Sequence, residues 1–341
     1  MITEMTNKLV RRQALTGEET AQVMYEMMAG NTSAVQTAGF LTALQAKGAT
    51  VTEITACARV MREHAVPVAA PAGLLEIVGT GGDHSGSFNI STTAALVCAA
   101  AGCRVAKHGN RSATSSCGAA DVLEALGADL YLSPAQSMAV LEETGFCFFF
   151  AQQYHQAMKY VGPVRRELGI PTVFNILGPL TNPAHAELQV LGVYDEALVE
   201  PLAQVLHALG VVRGMVVHGT DGLDEISPSA PTKICEFAGS QFHTYMLRPE
   251  EVHVPCGKKE ELKGGSPEKN AAMLRAVLAG EPGTCRTAVL LNAGAALYVA
   301  QKAPTIEAGV RLAARLIDEG KALQTLQRVI QAGRDLREAT R

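Results

Sequence analysis

No block of lysine and arginine interrupts the 341 residues, and the formal net charge is −4. A nucleic-acid groove is therefore not expected, although a small basic pocket for a phosphorylated substrate is still allowed. The eight cysteines (Cys57, Cys98, Cys103, Cys117, Cys147, Cys235, Cys256 and Cys285) contain no C-x-x-C pair. That excludes the usual zinc and disulfide frameworks and leaves buried, reduced thiols as the expectation. The start, Met1-Ile2-Thr3-Glu4-Met5, lacks the charged-then-apolar order of a signal peptide. Apolar runs such as Phe146 to Ala151 are far too short to span a bilayer. A cytoplasmic protein with no membrane partner is expected. No internal repeat or low-complexity tract is evident.

What is present is apolar bulk. Hydrophobic residues make up 48% and charged residues 18%, enough for a sizeable core. The length exceeds a usual single core, so one large domain plus a smaller one is expected. Up to about residue 65 the pattern is helical. Leu9, Leu15, Val23, Met27 and Met28 fall at helical spacing, and Thr16 with Glu19 reads as a capped helix start. Val35 to Lys47 is a helix ended by Gly48, and Thr52-Glu53-Ile54 opens another that runs to about His64. Pro67 to Gly73 reads as a linker.

From residue 74 short apolar runs alternate with helical stretches. Strands are expected at Leu74–Val78, Arg104–Ala106, Leu188–Val193, Gly214–Val217 and, late, Ala288–Leu291. Helices are expected at Thr93–Ala101, Ala120–Leu126, Glu196–Leu209, 266–280 and 306–333. This alternation argues for an α/β fold with a mostly parallel central sheet covered on both faces. The polar, Pro-rich segment 160–182 breaks the rhythm, as a crossing between domains would.

Four segments carry chemistry. The first strand runs into Gly79-Thr80-Gly81-Gly82-Asp83, then Ser85, Ser87, Asn89, Ile90, Ser91 and Thr92, then an apolar helix. A strand, a glycine-rich turn and a helix N-terminus make an anion cradle, because backbone N–H groups can approach phosphate oxygens closely. It is not a P-loop, which needs Gly-Lys-Ser/Thr, nor a dinucleotide fingerprint, since His84 stands where a third glycine belongs. After the next strand come Lys107-His108-Gly109-Asn110-Arg111-Ser112-Ala113-Thr114-Ser115. Neighbouring parallel strands place these two loops at one crevice, where Lys107 and the hydroxyls suit a phosphate and Asn110 an amine or carbonyl. The adjacent carboxylates of Asp224 and Glu225 follow another strand and suit Mg²⁺, a hard cation wanting oxygen ligands. Finally, Arg165 could grip a carboxylate with a bidentate fork.

Together Gly79-Thr80-Gly81-Gly82-Asp83, Asn89-Ile90-Ser91-Thr92, Lys107-His108-Gly109-Asn110-Arg111, Phe174 to Pro183 and Asp224-Glu225 resemble the anthranilate phosphoribosyltransferase family of tryptophan biosynthesis. The likeness runs in order along nearly the whole chain. It implies a small helical domain at residues 1–66, completed by a helical crossing segment at about 160–182, and a large α/β domain at 74–159 and 185–341. It implies homodimers formed through the helical domain, and transfer of a phosphoribosyl group from phosphoribosyl pyrophosphate (PRPP) to anthranilate. By resemblance, Gly79, Gly82, Asp83, Ser87, Asn89 to Thr92 and Lys107 to Ser115 would hold PRPP. Ser91, Asp224 and Glu225 would hold Mg²⁺, and Gly79, Asn110 and Arg165 would contact anthranilate. Ala119 replaces a customary serine, and Gln152 and Gln156 replace prolines flanking the position of His155. No covalent nucleophile is expected. Two alternatives stay open: a pyrimidine nucleoside phosphorylase of the same architecture, and a non-catalytic relative that binds nucleic acid.

Overall fold

The computed structural model describes residues 1–112 and 116–339. Four helices open the chain: α1 (Ile2–Val10), α2 (Gly17–Met28), α3 (Ala34–Lys47) and α4 (Val51–Glu63). Three of them start on capping boxes, Thr16 with Glu19, Ser33 with Gln36 and Thr50 with Glu53. Because Thr50 takes the cap, α4 begins before the expected Thr52. Glu53 is buried and also accepts from the Leu15 N–H and the Lys47 ammonium, which ties α4 to the turn before α2.

The sheet has seven strands: β1 (Leu74–Gly79), β2 (Arg104–Gly109), β3 (Phe146–Phe150), β4 (Leu188–Gly192), β5 (Arg213–Gly219), β6 (Thr232–Ala238) and β7 (Gln241–Leu247). Their order is β3-β2-β1-β4-β5-β6-β7. The first five are parallel, and β6 and β7 add an antiparallel hairpin at one edge. Strand periodicity divides the apolar residues between two cores. Val190, Met215 and Ile234 face one core with α5 (Ile90–Ala100) and the helices Thr284–Val299, Ile306–Asp318 and Lys321–Glu338. Their neighbours Leu191, Val216 and Cys235 face the other, shared with α1–α4 and the helix Val199–Ala208. The helical bundle thus seats on one face of the sheet.

Segment 160–182 joins that second core. The helix Met158–Leu168 packs on α2 and α3, and Phe174–Leu177 leads into a 3-10 turn, Gly178–Leu180. Val161, Phe174, Ile176, Leu177 and Leu180 are buried there. Arg59 and Arg62 of α4 donate to the carbonyls of Ala208 and Leu209 at the end of the helix Val199–Ala208, where the helix dipole favours cations. Arg62 also donates to the Leu180 carbonyl.

The expected late strand at Ala288–Leu291 is wrong: these residues lie inside the helix Thr284–Val299, of whose 16 residues 13 are buried. A helix buried all round loses its amphipathic period, so its apolar run reads like a buried strand. The single helix expected at 306–333 is two, divided at Gly320, whose φ of 72° is left-handed. The strands β3, β6 and β7 were not anticipated. Among the described residues no helix is long and apolar enough to cross a membrane.

Candidate functional site

At the carboxyl ends of β1 and β4, Gly79 is paired with Gly192. A Cβ on Gly79 would stand 2.4 Å from Asp224 Oδ2, and one on Gly192 would stand 1.7 Å from the Asp224 carbonyl oxygen. The stretch after β5 therefore lies directly across two strand ends, and it can do so only because neither position has a side chain.

That crossing joins three of the sequence segments. The Gly81 N–H donates to Asp224 Oδ2 at 2.7 Å, with Gly81 and Gly82 both at positive φ. The Ser91 N–H, in the first turn of α5, donates to Glu225 Oε1 at 3.1 Å. The Asp224 N–H points to Asp83 Oδ2 at 3.4 Å. From the neighbouring strand, the buried Lys107 Nζ donates to the Ile77 carbonyl at 2.6 Å and to Ser91 Oγ at 3.2 Å. Gly79, Gly81, Asp83, Ser91, Lys107, Asp224 and Glu225 thus form one cluster.

Its charges are unbalanced. Burial, then repulsion from Asp83 and Glu225, push the Asp224 carboxyl well above the usual carboxylate range. Burial raises Glu225 to about 7 against the pull of Lys107. Burial lowers Lys107 to about 8. Three carboxylates meet one ammonium, and each already orders a backbone N–H group. A divalent, oxygen-seeking cation fits this donor set. Among the described residues no three His, Cys, Asp or Glu side chains close into a cage, so such an ion would keep waters or substrate oxygens as ligands.

Asn89 anchors the phosphate loop from behind. Its Oδ1 accepts from Asn270 Nδ2 at 2.9 Å and its Nδ2 donates to the Cys117 carbonyl at 3.3 Å. Ser87 bridges to Lys263, so a segment before the helix Pro267–Leu278 braces the loop. Ile90 and Thr92 are buried. Gly82 and Ser87 lie in the loop between β1 and α5.

On the other side of Lys107, the His108 N–H donates to the buried Glu76 at 3.1 Å, and His108 Nδ1 meets the Gly178 carbonyl at 3.2 Å. The His108 and His155 rings stand edge to face at 5.0 Å. His108 Nε2 and both His155 nitrogens are buried without a hydrogen-bond partner. Burial holds both imidazoles neutral, pushed down to about 3 and about 4. Unmet buried polar atoms of this kind call for water or a ligand group. Gly109 backs onto Ala119 and the Phe148 ring. Asn110 Oδ1 accepts from Gln152 Nε2 at 3.3 Å, so this departure from the family pattern touches an expected acceptor residue; Gln156 is exposed. The Arg111 guanidinium is turned to Asp121 and Glu124, and Ser112 N–H also donates to Asp121. Arg165 stands over the Phe174 ring at 5.2 Å. Ala113, Thr114 and Ser115 lie outside the described residues.

Glu76, Asn270 and the nitrogens of His155 stand outside the site residues expected from the sequence. Glu76 alone carried a signal, a carboxylate in an otherwise apolar strand.

Residues 3–65 match the family model "Glycosyl transferase family, helical bundle domain", and residues 72–323 match "Glycosyl transferase family, a/b domain". The fold is that of a glycosyl transferase with a helical bundle set on an α/β sheet. The anthranilate phosphoribosyltransferase of Lachnoclostridium phytofermentans is 53% identical over 97% of this chain and 98% of its own length. The crystal structure of that enzyme from Thermus thermophilus superposes with a TM-score of 0.91 at 47% identity, covering 97% of this chain and 99% of the other. The Saccharomyces cerevisiae enzyme in complex with PRPP and Mg gives 0.89 at 28% identity, covering 98% of each chain. The chain belongs to the anthranilate phosphoribosyltransferase family.

Proposed function

We infer that the protein transfers the 5-phosphoribosyl group of PRPP to the amine of anthranilate, giving N-(5-phosphoribosyl)anthranilate and pyrophosphate, the second step of tryptophan biosynthesis from chorismate. The observation that carries this is the joining of the glycine loop, Lys107 and the Asp224-Glu225 pair into one charged cluster at the strand ends. It supports binding of a polyphosphate with a divalent ion, since anionic oxygens and carboxylates then share a cation. We propose that the reaction runs in the cytoplasm.

Asp224, Glu225 and the Ser91 hydroxyl would hold Mg²⁺, which when bound supplies positive charge to the pyrophosphate leaving group. Gly79, Gly82, Asp83, Ser87, Asn89 to Thr92 and Lys107 to Ser115 would bind PRPP through loop N–H groups, hydroxyls and the Lys107 ammonium. Gly79 and Asn110 would contact the amine end of anthranilate, and Arg165 its carboxylate. An aromatic amine is already neutral at pH 7, so positioning against the anomeric carbon is the main task. The neutral imidazoles of His108 and His155 offer hydrogen bonds there without adding charge. No thiol is placed to act as a nucleophile: burial pushes Cys117, next to the site, up to about 11.

Loss of anthranilate fluorescence that requires both PRPP and Mg²⁺ is the expected result with purified protein. Phosphorolysis of thymidine or uridine without that loss would replace this reading. We also propose a homodimer through the helical domain, where Val10, Tyr25 and Val35 are exposed apolar residues. A monomer by light scattering at micromolar concentration would count against it.

A further inference from the structure

The ladder between β1 and β2 stops short. The strands pair only at Leu74 with Arg104 and at Leu75 with Val105, although they run on to Gly79 and Gly109. Past that point side chains span the gap. Lys107 Nζ reaches the Ile77 carbonyl at 2.6 Å, Asn182 Nδ2 holds the Ala106 carbonyl at 2.8 Å, and Glu76 Oε1 accepts the His108 N–H at 3.1 Å. A carboxylate thus stands where a regular parallel ladder would offer a strand carbonyl.

Glu76 is a poor choice for stability. It is fully buried, and its Oε2 has no hydrogen-bond partner. An apolar side chain of similar volume would spare that desolvation but leave the His108 N–H without its acceptor, so the two effects on stability oppose each other. Its geometry serves placement instead. The bond it makes through Oε1 fixes the backbone of His108, the residue that leads into Gly109 and Asn110. Lys107 has its own anchors on Ile77 and Ser91, so the pyrophosphate side of the site leans on Glu76 only through its charge.

We infer that Glu76 is a positioning residue for the acceptor half of the site, holding the turn His108-Gly109-Asn110 at the gap between two strands that no longer pair. The inference rests on the proposed role of Asn110 toward anthranilate.

The test compares wild type with Glu76→Gln and Glu76→Leu, measuring kcat, the KM for each substrate and the Tm. Glu76→Leu is expected to fold with its Tm lowered by no more than a few degrees and to raise the anthranilate KM about tenfold, as loss of one charge-assisted hydrogen bond would. Its PRPP KM should rise by a clearly smaller factor, because Lys107 keeps its anchors on Ile77 and Ser91, a split that a merely structural role would not produce. Glu76→Gln keeps the accepting oxygen and should bring the anthranilate KM back to within about threefold of wild type. An unchanged anthranilate KM in the leucine variant, an equal rise in both KM values, or a glutamine variant as impaired as leucine overturns the inference. Should the leucine variant not fold, Glu76→Ser, too short to reach the His108 N–H, replaces it with the same outcomes. An inactive wild type would sink the functional reading itself, which keeps the two failures apart.

Discussion

Gly79 and Gly192 show how much one missing side chain decides. At Gly192 the would-be Cβ meets backbone, the Asp224 carbonyl, which cannot swing aside. Gly192→Ala should therefore destabilise the fold by about 1–3 kcal/mol through overpacking, seen as a lower urea midpoint. At Gly79 the obstacle is the Asp224 carboxylate. Gly79→Ala should lower the urea midpoint too and, beyond that, raise the Mg²⁺ concentration needed for half-maximal activity; an unaltered Mg²⁺ titration would contradict the crossing described at these strand ends. In the sequence the glycines stand out as a loop that a phosphate can approach, yet the contact that bars a side chain at Gly79 comes from a loop far along the chain. No local pattern announces such a tertiary contact. Arg165→Ala should raise the anthranilate KM about tenfold, the value of a charge-assisted contact, with the PRPP KM unmoved. Gln152→Ala removes only a neutral, 3.3 Å bond to Asn110 and should shift that KM by no more than about threefold.

Among the elements, those with a clean period were legible and those buried on every side were not. Three of the four opening helices and the first two strands could be read from spacing, caps and alternation, whereas α1, which has no side-chain cap, could not be separated from its neighbour. The helix Thr284–Val299 was mistaken in part for a strand because its apolar face has no opposite. The hairpin β6–β7 was missed although Gly239-Ser240 between them is a two-residue turn, a signal that local chemistry does provide. The pairing of β2 with β3 sets His108 beside Phe149, and the turn after β3 brings up His155. Burial holds these two imidazoles below their ordinary value of 6.5. A base with a lowered folded-state pKa gives stability that is present above 6.5 and lost as pH falls toward its folded value. Glu76 and Glu225, both raised to about 7 from 4.5, act in the opposite sense and lose stability as pH rises. The two effects overlap, so a difference measurement is needed. Between pH 6.5 and 4.5, His155→Gln should lose less Tm than wild type; parallel curves would mean that His155 is charged in the folded protein or is not buried.

At the scale of the molecule, the bundle and the sheet are held together by a continuous core and by Arg62, which donates to carbonyls at Leu180 and Leu209. Arg62→Met should cost about 2–4 kcal/mol in urea unfolding, because two half-buried carbonyls lose charged donors. The α/β architecture with a smaller helical part was legible from composition and alternation. That the helix Met158–Leu168 packs on α2 and α3 was not legible from periodicity, and only the family resemblance implied a helical crossing segment there, since its polar residues mask a thin apolar stripe. The crossing of the Asp224 loop over Gly79 and Gly192 also sets a schedule for the growing polypeptide. The residues that leave a ribosome before position 224 contain the whole glycine loop and Lys107, but neither Asp224 nor Glu225. Until that loop and then Asn270 are synthesised, the nascent chain owns the glycine loop with Asp83 but neither Asp224 nor Glu225 beside it and no brace behind Asn89. On the proposed metal role, a product truncated before residue 224 is expected to show no transferase activity.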